Sequence, residues 1–278
     1  MKNAARFVLF ALPALLISLL VVRAEPSAAQ GGTAELEWLG HNAWRVTSPG
    51  GKVLLLNPFV NNPDSILGVD DISHADMVLV TNGHGDEVGQ AVQIAENTGA
   101  RVIPGSFGFG NWFIERGIPA SQVSRVSPGD RVRADGITIR LINSIHGSDL
   151  NAGRVPGDPV QSMGIASSFF ITFENGWTLF YGGSSAATQD MAMWAAVYKP
   201  DAAILYMGSD AEPMDFAMRV KLLMTDNPNL NVLFPGHHRF VQPPGATTVA
   251  EVQTAINSMG LGKTVTEPAP GVPYAFTK

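Results

Sequence analysis

A series of short apolar stretches, rich in β-branched and aromatic residues and closed by Gly, Pro or Asn, constrains this chain most. They are ELEWL (35–39), AWRVT (43–47), KVLLLNPF (52–59), DMVLVT (76–81), RVIPG (101–105), ITIRLIN (137–143), SSFFITFE (167–174), WTLFYGG (177–183), AAILYMG (202–208) and NVLFPG (231–236). Each has the length and composition of a strand. Between them, 87–99, 191–199 and 211–224 have helical spacing; in the first, Val88, Ala91, Val92, Ala95 and Thr98 share a side, and Gly99 follows as C-cap. Hairpins come first, then strand–helix alternation, then both again. That order predicts an α/β fold in which two sheets face each other and helices cover the outside. The Gly- and Pro-rich tail (255–278) reads as an irregular strap.

The first residues stand apart. Lys2 and Arg6 precede an apolar block (7–22) interrupted by Pro13, and small residues follow at Ser27 and Ala29. A spanning helix needs about 20 apolar residues, so 1–29 reads as a signal peptide, with an uncleaved anchor as the alternative. The expectation is an exported, periplasmic protein with no stable membrane span after cleavage and one domain over 33–278. With no cysteine, neither a disulfide nor a thiolate metal site is available. A net charge of −6 and the lack of any basic run argue against nucleic acid as partner. A small molecule is the expected one, and oligomeric state is open.

Ligand chemistry gathers where strands end. TNGHGDEVG (81–89) supplies His84, Asp86 and Glu87; NSIHGSD supplies His146; FPGHHRF supplies His237 and His238. Loops at the C-terminal ends of strands are where sheet proteins build sites. Three imidazoles and a carboxylate fill a tetrahedral or five-coordinate shell. Taken singly, each histidine is as well explained by a turn or a satisfied polar contact; His41, in WLGHNAW, is such a case.

These pieces resemble the metallo-β-lactamase fold superfamily, in the branch of small metal-dependent hydrolases around the ascorbate-6-phosphate lactonases. The resemblance runs from about Glu35 to Phe240, through WLGHNAWRVTSPGGKVLLLNPF, TNGHGDEVGQAVQIAENTGARVIP, PGDRVRADGITIRLINSIHGSD, FENGWTLFYGGSSAATQDM, YKPDAAILYMG and FPGHHRF. It implies a four-layer αββα sandwich. It also implies a loop His-x-His-x-Asp-His, where this chain has Asn82, Gly83, His84, Gly85, Asp86 and Glu87. Ser184 stands where the family bridges two metals with aspartate, and Asn57 where its early strand ends in Asp-Pro. Asn82 is a weaker ligand than imidazole, and serine is a poor bridge between two repelling cations.

One divalent metal is therefore expected, or none if the site is dead: zinc first, with manganese or iron allowed by the carboxylates. The expected ligands are His84, Asp86, Glu87, His146 and His237; Asp86 and Glu87 are the catalytic carboxylates. His41, Asn82, Ser184, His238 and Arg239 are candidates for substrate contact. Two functions fit: an exported mononuclear hydrolase acting on an ester, lactone or phosphoester, and a catalytically inactive descendant that binds a ligand or partner.

Overall fold

The computed structural model describes residues 32–151 and 159–278, so the proposed signal segment lies outside the described residues. The first sheet is built from β1 (Ala34–Trp38), β2 (Trp44–Thr47), β3 (Val53–Leu56), β4 (Met77–Val80) and β5 (Arg101–Pro104). The second uses β6 (Arg131–Ala134), β7 (Ile137–Asn143), β10 (Ser167–Thr172), β11 (Thr178–Tyr181), β12 (Ala202–Tyr206) and β13 (Val232–Gly236). Strand β14 (Pro273–Phe276) completes the first sheet beside β1, giving the orders β14-β1-β2-β3-β4-β5 and β13-β12-β11-β10-β7-β6. A small ribbon pairs β8 (Asp149–Leu150) with β9 (Gln161–Ser162).

The strands are apolar almost throughout because both faces of each sheet are covered. Alternation then sorts their side chains. Leu54, Leu56, Met77 and Leu79 point to the space between the sheets, where they meet Leu141, Phe169, Ile171, Leu179 and Ile204. Their neighbours Leu55, Val78 and Val80 point outward onto helices α2 (Ala91–Thr98) and α3 (Phe107–Glu115). On the other side Phe170, Phe180, Ala203 and Leu205 pack against α4 (Gln189–Tyr198), α5 (Pro213–Leu223) and α6 (Val249–Ser258). The result is the four-layer αββα sandwich.

Three local expectations change. The helix expected over 87–99 is two pieces, α1 (Gly85–Val88) and α2, broken at Gly89. Gly89 has φ 45° and ψ −123°, a region open essentially to glycine, and a Cβ there would run into the Phe59 backbone. Ile94, rather than Val92 or Thr98, joins Ala91 and Ala95 in the core. The C-terminal strap is regular at both ends. Helix α6 starts at a capping box of Thr248 and Glu251. Strand β14 pairs with β1, its Phe276 stacking on Trp177 at 5.3 Å between ring centroids. Four residues beginning with Pro273 are too short a pattern to separate from a turn. The aromatic stretch 105–113 is α3, capped by Ser106, with Phe109, Trp112 and Phe113 in the core.

Candidate metal centre

Strands β4, β7, β11 and β13 end on the same side of the sandwich, and the turn between β1 and β2 folds over them. His41 in that turn has φ 51°, Asn57 after β3 has φ 43°, and His237 after β13 has φ 56°. Non-glycine residues in the left-handed region carry strain of about 1 kcal/mol or more, and such strain clusters where a site demands it.

Glu87 is the most enclosed polar group here, fully buried. Its Oε2 accepts hydrogen bonds from Asn42 Nδ2 (3.1 Å) and Thr81 Oγ1 (2.6 Å). Its Oε1 accepts from Ser184 Oγ and lies 3.3 Å from His237 Nε2. Thr81 in turn accepts from Asn57 Nδ2 (2.9 Å) and Asn82 Nδ2 (3.3 Å). Asn82 Oδ1 caps the loop by accepting from the His84 amide at 3.0 Å. The residues that depart from the family pattern, Asn57, Asn82, Glu87 and Ser184, are thus knitted together through Thr81 and Glu87. Tyr181, buried beside them, donates to Asn42 O at 2.8 Å; burial, then the Glu87 charge, pushes its pKa well above the usual phenol value.

Next to this network, His41, Asp86 and His237 each present a donor atom within 4.8 Å of the others. Two ligands bonded at about 2 Å to one ion stand at most about 4 Å apart, so this is a slightly open trio. Burial, then the neighbouring His237, lowers the His41 pKa to about 4, which keeps its ring neutral and its lone pair free. Burial would raise Asp86, but the hydrogen bond and charge of His237 outweigh it and hold the carboxyl at about 2. Nδ1 of His41 and Nδ1 of His237 are buried, and neither has a hydrogen-bond partner among the described residues. The His237 nitrogen that faces Asp86 is Nε2, at 3.6 Å, and two imidazoles gathered with an ionised carboxylate fit a divalent cation.

His84 and His146 form a separate pair, with His146 Nε2 at 3.1 Å from His84 Nδ1. Among the described residues the one carboxylate–histidine grouping close enough to hold an ion is the trio; the Ser184 hydroxyl is committed to Glu87 and the Asn82 amide to the loop backbone.

The ligand set expected from sequence is therefore divided. Asp86 and His237 meet as expected, and His41, expected as a substrate contact, joins them. Glu87, expected as a ligand or catalytic carboxylate, has hydrogen bonds to both oxygens. Asn82 and Ser184, candidates for substrate contact, are inside the network, although Ser184 also lines a cavity. The two remaining candidates turn elsewhere. Buried His238 meets Gln242 at 2.8 Å and Glu267 at 3.0 Å, while Arg239 Nε lies 3.6 Å from Asp64. The signal for His41 was weak because a lone histidine in a turn carries no spacing to a partner.

The sequence model of the β-lactamase superfamily domain matches residues 35–210. A UPF0173 metal-dependent hydrolase of Myxococcus xanthus is 33% identical over 200 residues, covering 71% of this chain and 70% of the relative. Among solved structures, Igni18, described as a metallo hydrolase of Ignicoccus hospitalis, superposes with TM-score 0.71 at 24% identity, covering 88% of this chain and 98% of that one. The metallo-β-lactamase fold protein YhfI of Bacillus subtilis superposes with TM-score 0.61 at 10% identity over 88% of this chain and all of its own. With the sandwich and the ligand-bearing strand ends both in place, this chain belongs to the β-lactamase superfamily domain family.

Proposed function

We propose that this protein is an exported hydrolase that works with a single divalent cation, zinc first, held by His41, Asp86 and His237. The observation that carries the reading is the close grouping of one donor atom each from His41, Asp86 and His237, with Asp86 held ionised. A cation there supplies Lewis acidity toward water and toward the oxygen of the scissile bond. With its carboxyl at about 2, Asp86 is a poor base at neutral pH and serves as the anionic ligand. His146 lines the adjoining cavity and, backed by His84, accepts the proton that water gives up during attack. Glu87 holds His237, Ser184 and the ligand loop in register.

That cavity, of about 410 Å³, is lined by Ile145, His146, Ser184 and Tyr206 together with the carboxylates Asp210, Glu212 and Asp215. Asp215 is paired with Arg219 at 3.0 Å and Asp210 accepts from Tyr206 at 2.8 Å, so the rim is net negative. A dianionic phosphoester is repelled there. Uncharged or cationic esters, lactones and amides are the substrates this rim accepts.

The test is elemental analysis of protein purified without added metal, together with hydrolysis of ester and lactone panels. About one equivalent of metal and activity lost on chelation are expected. A second reading is favoured by the closed hydrogen-bonding of Asn82, Glu87 and Ser184: a descendant that binds ligands in the old cleft without turnover. Metal-free protein whose melting temperature ignores EDTA, yet which binds a small ligand, supports that version instead.

A further inference from the structure

The sequence contains no basic run, yet folding assembles a basic surface. Arg101 begins β5, Arg131 and Arg133 lie on β6, and Arg125 lies between them in sequence. β5 and β6 are the outer strands of the two sheets. Their exposed arginines meet along one side of the sandwich, lining a groove of about 480 Å³ with no carboxylate among the lining residues. None of the four arginines makes an ion pair among the described residues, in a chain whose net charge is −6. No lining residue belongs to the candidate metal centre.

Two of the guanidinium groups are held in place before any ligand arrives. Arg101 Nε donates to Ser124 Oγ at 2.8 Å. Arg125 lies over the exposed Phe107 ring, 5.4 Å from its centroid. Charge on an edge strand deters edge-to-edge pairing, but one charge on each strand suffices for that. Four like charges gathered in a concavity, two of them fixed in orientation, match an anion able to receive several forked N–H donors.

We propose that this groove binds a phosphate-bearing ligand, separately from the cleft that holds the cation. The ligand presents at least two phosphate oxygens, either on a soluble phosphate ester or on the headgroup of an anionic phospholipid. Binding falls with ionic strength because the donors are solvent-exposed.

The test uses the full chain and two probes. One is inorganic pyrophosphate, titrated calorimetrically in EDTA so that no cation in the cleft competes for it. The other is pelleting with phosphatidylglycerol vesicles, against phosphatidylcholine vesicles. Arg125→Gln/Arg133→Gln is expected to weaken binding about 10-fold or more without changing the melting temperature, since both side chains are exposed. His237→Ala is expected to leave this binding intact, so failure of the metal centre and failure of the groove are distinguishable. Saturable pyrophosphate binding without vesicle pelleting assigns the groove to a soluble ester. Arginine-dependent pelleting specific to phosphatidylglycerol assigns it to a headgroup. Binding of neither probe, or equal binding by the double variant, overturns the proposal.

Discussion

The Ser184 hydroxyl donates a hydrogen bond to the buried carboxylate of Glu87. These positions are distant in sequence, and both differ from the residues the superfamily pattern implies, so the two departures are a single structural unit. Glu87 takes three hydrogen bonds from Asn42, Thr81 and Ser184 and faces His237. Glu87→Ala strands three buried donors, each costing about 1–3 kcal/mol. Chemical denaturation is expected to show a loss of about 3–5 kcal/mol, in the range for breaking a buried ion pair. Glu87→Gln, which keeps the volume, loses less. A loss under 1 kcal/mol for Glu87→Ala rules out the positioning role.

Gly89 sets where the loop ends and α2 begins. Its φ and ψ exclude a side chain, and a Cβ there meets the Phe59 backbone. Gly89→Ala is expected to cost about 2 kcal/mol or more, and to lower metal content, because Glu87 lies two residues away. A melting temperature within a degree of the parent contradicts this.

Metal content separates the two groups of histidines. His237→Ala and Asp86→Asn are expected to bring metal from about one equivalent to near none. His146→Gln is expected to retain the metal while activity falls about 100-fold, the usual size of a lost general base. Loss of metal in His146→Gln returns the pair His84–His146 to the ligand set.

Away from the site, Asp76 also contributes to the acid limb of stability. Burial would raise its pKa, but hydrogen bonds from the Val53 amide and Lys52 Nζ, both at 2.9 Å, bring it below 3.8. A depressed carboxyl stabilises the fold above the unfolded value, and that contribution is lost as pH falls through the folded one. The hydrogen bond and charge of Asp76 raise Lys52 above 10.5, so its share is present below that value and is lost as pH rises past the folded pKa. Asp76→Asn is expected to cost about 1 kcal/mol at pH 7 and to flatten the decline below pH 4, read from denaturation midpoints across pH.

The interior strands were legible in the sequence because they are uniformly apolar and bounded by turn residues; ITIRLIN is β7 residue for residue. β14 was not legible, since Pro273–Phe276 gains its strand character only by lying against β1. Asp86 and His237, read from their place at strand ends, do stand together, and His41, read as a substrate contact, stands with them. Glu87, read as a ligand, instead takes hydrogen bonds from three neighbours, partners that only the fold brings to it.

What the sequence determined by itself was the layered fold and the set of strand ends carrying imidazole and carboxylate. Periodicity and turn residues are local signals, and hydrophobic burial enforces them wherever the strands are placed. Only the tertiary structure decided which of those side chains stand close enough to share a cation. It likewise decided that Glu87 and Ser184 satisfy each other, and that four scattered arginines form one groove. Those outcomes depend on distances between segments far apart along the chain, which local pattern does not encode.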